Sequence, residues 1–159
     1  MKFHVVAVGH KMPAWINAGF NEYAQRMPRE TRVELREVRP ASRPAAAGDK
    51  ARQQLCAIEA ERIRAALPAR CFKVVLDERG EALTTVEIAR RIERWKREGR
   101  NVAFVIGSAD GTARELRQDA DLLLSLSRMT LPHGLCRVVL AEQLYRAVSL
   151  LAGHPYHRA

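Results

Sequence analysis

LSLSRMTLPHGLCRVVLAEQLYRA, Leu124 to Ala147, sets a short polar segment between two apolar ones. The stretch it closes, DLLLSLS (Asp121–Ser127), is Leu-rich and too short for an ordinary helix, so it reads as a buried strand. The stretch it opens, from about Leu135 to Leu151, carries Val138, Val139, Leu140, Leu144, Val148, Leu150 and Leu151 on more than one face, which predicts a buried helix. Between them stand Arg128, Thr130, Pro132, His133 and Gly134. In a layered α/β domain, ligands bind just beyond the carboxyl ends of the strands, and a polar loop in this position suits such a site.

The rest of the chain repeats the same alternation. KFHVVAVG (Lys2–Gly9) predicts a buried strand, and PAWINAGFNEYAQRM a helix with Trp15, Ile16, Phe20, Tyr23 and Met27 on its apolar stripe. VELREV (Val33–Val38) predicts a more exposed strand near a sheet edge. RPASRPAAAGD (Arg39–Asp49) is a loop suited to ordering on a partner, and Lys50 to Leu67 a long helix ended by Pro68. CFKVVLD (Cys71–Asp77) is a third strand, followed by a turn over Glu78–Leu83. A helix carrying Val86, Ile88, Ile92 and Trp95 follows, with Thr84 and Glu87 spaced as a capping box, and it ends at Gly99. NVAFVIG (Asn101–Gly107) is the fourth strand and ARELRQDA (Ala113–Ala120) a short helix. Five strands alternating with helices imply one α/β domain over residues 1–159, with a mostly parallel sheet flanked by helices.

The 159 residues are 47% hydrophobic, which suits a single packed core, and no apolar run reaches the roughly 18 residues of a membrane span. The N-terminal stretch lacks the pattern of a secretory signal, so a soluble, cytoplasmic protein is expected. Cys56, Cys71 and Cys136 form no CxxC pair, which disfavours a disulfide framework or a zinc site. The net charge of +9 favours a polyanionic partner, nucleic acid first. The excess is spread along the chain: residues 1–80 hold 15 basic and 9 acidic groups, residues 81–159 hold 12 and 9.

Three strand ends qualify as site candidates: Leu76 and Asp77, IGSADG (Ile106–Gly111), and LSRMTLPH (Leu126–His133). Neither a GxxxxGKS nor a GxGxxG phosphate loop occurs. Gly107 either makes a tight turn or lets the backbone approach an adenine or ribose. Ser127 and Thr130 offer hydroxyls and Leu126, Met129 and Leu131 apolar contact, which suits a flat, neutral heterocycle. Ser125 and Ser127 lack the context of a nucleophile, and His154 with His157 is too small a set to hold a metal. Glu142 and Arg146, spaced i, i+4, form a simple ion pair or take part at the site. The apolar breadth of the last helix predicts a homodimer.

VAVGHKMPAW, VIGSADG, LSLSRMTLPHGLCRVVLAEQLYRA and the closing HPYHR resemble, in order and across essentially the whole chain, bacterial 23S rRNA methyltransferases that act on N3 of a pseudouridine. These belong to the SPOUT class, an α/β fold with a C-terminal trefoil knot. The resemblance implies a homodimer that uses S-adenosylmethionine (SAM) and acts on a hairpin loop of 23S rRNA in the assembled ribosome. Carried onto matching positions, it places the cofactor on Leu76, Gly107, Leu126, Ser127, Arg128, Met129, Thr130 and Leu131. It assigns His157, Tyr156 and Arg158 to catalysis and His154, Arg137 and Arg146 to substrate binding, with the tail reaching across the dimer. Where the family has a second glycine after Gly107, this chain has Ser108, whose Cβ narrows the pocket.

The implied reaction is attack of N3 on the SAM methyl group without a covalent enzyme intermediate, driven by positioning and by arginines that favour the developing anion. His157 is the candidate base, with Glu142 behind it. A non-catalytic ribosome-associated RNA-binding protein on the same scaffold is the alternative, and a tRNA or small-molecule acceptor a third.

Overall fold

The computed structural model describes residues 1–43 and 48–157. Five strands form one sheet: β1 (Phe3–Val8), β2 (Val33–Val38), β3 (Phe72–Ala82), β4 (Val102–Ile106) and β5 (Leu122–Ser125), in the order β2-β1-β4-β3-β5. Every pairing is parallel. Five helices connect and cover the strands: α1 (Ala14–Ala24), α2 (Asp49–Ala66), α3 (Thr85–Arg97), α4 (Arg114–Gln118) and α5 (His133–Leu151).

Because strand side chains alternate, the apolar run of β1 feeds both faces of the sheet. Phe3, Val5 and Ala7 join Val74, Phe104, Ile92, Leu140 and Leu144 in the larger core, while Val6 and Val8 meet Val75, Val105, Ile63 and Leu116 on the other side. Two buried faces explain the hydrophobicity of β4 throughout and of β1 apart from the buried His4. β2 lies at the edge, and its part-exposed pattern is the one VELREV predicts. α5 packs between α1 and α3 on the larger core.

The capping box of α3 is formed: Glu87 N–H donates to Thr84 Oγ1, and the Thr84 N–H donates to the Glu87 carboxylate at 2.7 Å. Three expectations need correction. Trp15 is not part of the apolar stripe of α1 but 60% exposed, because the core-facing side of the helix carries Ile16, Phe20 and, part-buried, Tyr23 and Ala24, while Met27 is buried beyond the helix end. Ile58 of α2 is likewise exposed. Residues 78–82, read as part of a turn, belong to β3, whose register on β5 shifts so that Leu124 faces both Leu76 and Glu81. The intervening residues form a bulge over the end of β5, and Gly80 makes it possible. A Cβ there would stand 2.6 Å from the Leu123 carbonyl carbon and 2.7 Å from the Leu124 nitrogen.

Candidate cofactor site

At the carboxyl ends of β3, β4 and β5 lies a cavity of about 400 Å³. The three candidate segments converge on it. Leu76 to Arg79 come from the bulge, Ser108 to Thr112 from the turn after β4, and Leu126, Ser127, Met129, Thr130 and Leu131 from the loop that separates β5 from α5. Of the eight residues assigned to the cofactor, Leu76, Leu126, Ser127, Met129, Thr130 and Leu131 line this space, and Gly107 and Arg128 do not.

The loop between β5 and α5 holds its shape through its own serines. Ser125 Oγ donates to the Ser127 carbonyl at 2.9 Å, and Ser127 Oγ accepts from the Met129 N–H at 2.9 Å. Thr130 Oγ1 reaches Glu78 across the cavity at 3.3 Å. Met129 is 76% exposed, leaving an apolar side chain at the rim with little to cover it.

Gly107 is required for the tight-turn reason. A Cβ at this position would lie 2.6 Å from the Gly111 carbonyl oxygen and 2.7 Å from Thr112 Oγ1. The turn itself fills the space left for a ligand in the other reading. Ser108, whose Cβ is expected to narrow the pocket, lines the cavity, and its hydroxyl accepts a hydrogen bond from Arg43 at 2.6 Å.

The sequence reading noted Asp77 as a strand end but assigned it no role; the structure gives it the strongest polar environment in the cavity. Its buried carboxylate accepts from the Arg79 N–H at 2.9 Å and from Arg79 Nε and Nη2 at 3.0 and 3.1 Å, with Arg117 Nε at 3.8 Å. The Arg79 hydrogen bonds, together with the charges of Arg79 and Arg117, hold this carboxyl below the usual carboxylate range despite burial. Arg79 stands two residues from Asp77, whereas Arg117 meets it only in space, so no local pattern announces that second partner.

Arg137, assigned to substrate, is fully buried. Its Nη1 donates to Glu37 at 2.9 Å and its Nη2 to the Gly9 carbonyl at 3.0 Å, tying α5 to the ends of β1 and β2. In the chain as described this side chain is closed to solvent and braces α5 through both terminal nitrogens, while its Nε has no hydrogen-bond partner among the described residues. Burial, with Arg137 and Arg43 nearby, pushes the neighbouring His133 below its ordinary value.

The C-terminal segment folds back on α5. Pro155–His157 make one 3-10 turn, and the Tyr156 O–H donates to Glu142 Oε1 at 3.2 Å. Glu142 also pairs with Arg146 at 2.7 Å, and the Arg146 guanidinium lies 4.9 Å from the Tyr156 ring centre. Burial, then hydrogen bonding to Tyr23 and the Glu142 charge, pushes the Tyr156 phenol up to about 12, so it keeps its proton. His154 is exposed, and its Nδ1 accepts from the Tyr156 N–H at 3.2 Å. Arg158 and residues 44–47 of the long loop lie outside the described residues. None of residues 154–156 lines the cavity. Among the described residues no group of three or more His, Cys, Asp or Glu side chains converges to hold a metal, and no helix is long and apolar enough to cross a membrane.

Comparison with known proteins supplies the lineage. The family described as predicted SPOUT methyltransferase matches residues 1–157. The ribosomal RNA large subunit methyltransferase H proteins of Burkholderia mallei strain SAVP1 and Burkholderia pseudomallei strain K96243 are each 56% identical over 159 residues, covering 100% of both chains. Among solved structures, a methylase family protein from Haemophilus influenzae Rd KW20 superposes with a TM-score of 0.54 at 15% identity, over 96% of this chain and 67% of its own. One from Neisseria gonorrhoeae gives 0.53 at 14%, over 90% and 81%. At those identities the likeness is one of fold. A match running from the first strand into the last turn, with relatives this similar from end to end, makes the lineage plain: the chain belongs to the SPOUT methyltransferase family.

Proposed function

We propose that the protein methylates N3 of a pseudouridine in a hairpin loop of 23S rRNA, on the assembled ribosome, with SAM as methyl donor. The observation that carries this reading is the cavity: its three walls are the strand ends Leu76 and Asp77, IGSADG and LSRMTLPH, in a chain 56% identical to proteins named for large-subunit rRNA methylation. We place the protein in the cytoplasm as a homodimer of single-domain chains, with the family's trefoil knot over the last strands and α5.

The residues present suit the cofactor. Leu76, Leu126 and Leu131 offer apolar contact for a flat base, and Ser127 and Thr130 offer hydroxyls. Asp77, kept ionised by Arg79, supplies a carboxylate acceptor of the kind that binds ribose hydroxyls. When bound, SAM supplies a methyl group activated by its sulfonium charge. The protein's own task is then to orient the acceptor and to handle the N3 proton. Tyr156 keeps its proton and serves as a donor, and Glu142 is occupied by Arg146, Gln143 and Tyr156, so the base role rests on His157. Arg146 and His154, with Arg158 beyond the described residues, are assigned to the RNA substrate, where positive charge favours the N3 anion.

Methyl transfer from labelled SAM to ribosomes lacking the modification, with free rRNA and tRNA in parallel and nucleoside mass spectrometry as readout, tests the reading. N3-methylpseudouridine formed only on ribosomes is the expected result. Transfer to tRNA would change the acceptor, and SAM binding without transfer to any RNA would favour a non-catalytic ribosome-binding protein.

A further inference from the structure

The turn between β4 and α4 forms one wall of the cavity, and its two polar side chains are gripped from outside. Arg43, in the connection between β2 and α2, donates from Nε to Asp110 Oδ2 at 2.5 Å and from Nη2 to Ser108 Oγ at 2.6 Å. The same Nη2 donates to Glu59 Oε1 at 2.8 Å. Glu59 projects from α2 and is only 3% exposed, and its second oxygen has no hydrogen-bond partner among the described residues. Ser108 and Asp110 line the cavity, whereas Arg43 and Glu59 do not.

One guanidinium thus serves two carboxylates, one of them in a nearly dry site. A buried carboxylate is tolerated only with a counter-charge, and the flat, rigid fork of arginine reaches partners in several directions where a lysine reaches as a point charge. The turn has its own internal bond, Gly111 N–H to the Ser108 carbonyl at 2.9 Å, which sets its shape but not its position. Position comes from α2, where Cys56 Sγ reaches the Asp110 and Gly111 carbonyls at 3.7 and 4.0 Å and Arg43 makes the charged tie through Glu59. Without that tie Glu59 and Asp110 would be like charges close together with no cation between them, and the wall would move.

We propose that Arg43 is a positioning residue for the cofactor cavity: it fixes the Ser108–Gly111 wall against α2 and so sets SAM affinity without touching SAM. The inference rests on the reading that this cavity holds SAM. Arg43 also lies on the loop that the sequence marks as suited to ordering on a partner, so a partner engaging that loop would act on the same wall.

Calorimetry with SAM on the full chain, and methyl-transfer kinetics on ribosomes, test it with three variants. Arg43→Met combined with Glu59→Gln removes the tie and the buried charge together, which guards against a variant that merely fails to fold. It is expected to melt close to the parent yet bind SAM roughly five- to tenfold more weakly. KM for SAM should rise in step with kcat at saturating SAM unchanged. Glu59→Gln alone keeps the bonds to Ser108 and Asp110 and a neutral acceptor for Arg43 on α2, so it should weaken SAM binding less than the double variant does, and Arg43→Lys should likewise fall between the parent and the double variant. A folded double variant with parental SAM affinity, or a loss confined to kcat, would overturn the proposal while leaving the SAM reading intact. A parent chain that binds no SAM would remove both.

Discussion

At the scale of single residues, the chemistry of the cavity is decided by pairings that lie far apart in sequence. Asp77 is the clearest case, since Arg79 is a near neighbour but Arg117 arrives from α4, 40 positions on. A carboxyl whose folded value is depressed contributes stability above its unfolded value and loses it as pH falls through the folded value. Asp77→Asn is therefore expected to lower the urea midpoint at pH 7, with the gap to the parent closing as pH drops below 3.8. A gap that persists unchanged at pH 3 would mean that the Asp77 charge is not what Arg79 and Arg117 stabilise. The sequence made Gly107 legible as a residue that must be glycine, yet the reason is the contact with Gly111 and Thr112 rather than a ligand. Arg137 shows the opposite limit: as one arginine on a helix it reads as a surface charge, and only the packing of α5 against β1 and β2 reveals its burial.

Elements were the most legible level, because strand and helix periodicities and caps are local. β2 has the bounds expected, and the Thr84–Glu87 box forms as its spacing implies. The bulge in β3 was hidden because ERGEA has the composition of a turn, and what holds it to β5 is a pairing 43 positions away, Glu81 with Leu124. Gly80 is where that pairing is most sensitive. The atoms a Cβ would strike, the Leu123 carbonyl and the Leu124 nitrogen, are backbone and cannot rotate aside, so β5 or the bulge must shift. Gly80→Ala should cost about 1–3 kcal/mol in chemical denaturation. Because Asp77, Glu78 and Arg79 ride on the bulge, SAM affinity should fall with it. Unchanged stability and affinity together would show that the bulge relaxes freely. The same contacts explain why the cavity wall could be listed from strand ends in advance while its polar members Glu78, Arg79 and Arg117 could not.

For the whole molecule, the question is how the tail meets the cavity. The cavity opens beside the start of α5, while Tyr156 docks on Glu142 and Arg146 in its second half, and nine to thirteen residues at about 1.5 Å each separate these points by roughly 13–20 Å along the helix. Within one chain the tail is thus held away from the space proposed for SAM. A homodimer resolves this if each cavity is completed by the tail of the other copy, an arrangement that mixing of two inactive chains can detect. One chain would carry His157→Ala and the other a cavity blocked by Ser127→Trp. In a random one-to-one mixture half of the dimers are mixed and each has one complete site, so activity on ribosomes should return to about a quarter of the parental value. A tail that serves its own cavity would leave the mixture as inactive as either parent variant, because every site would then contain one defect.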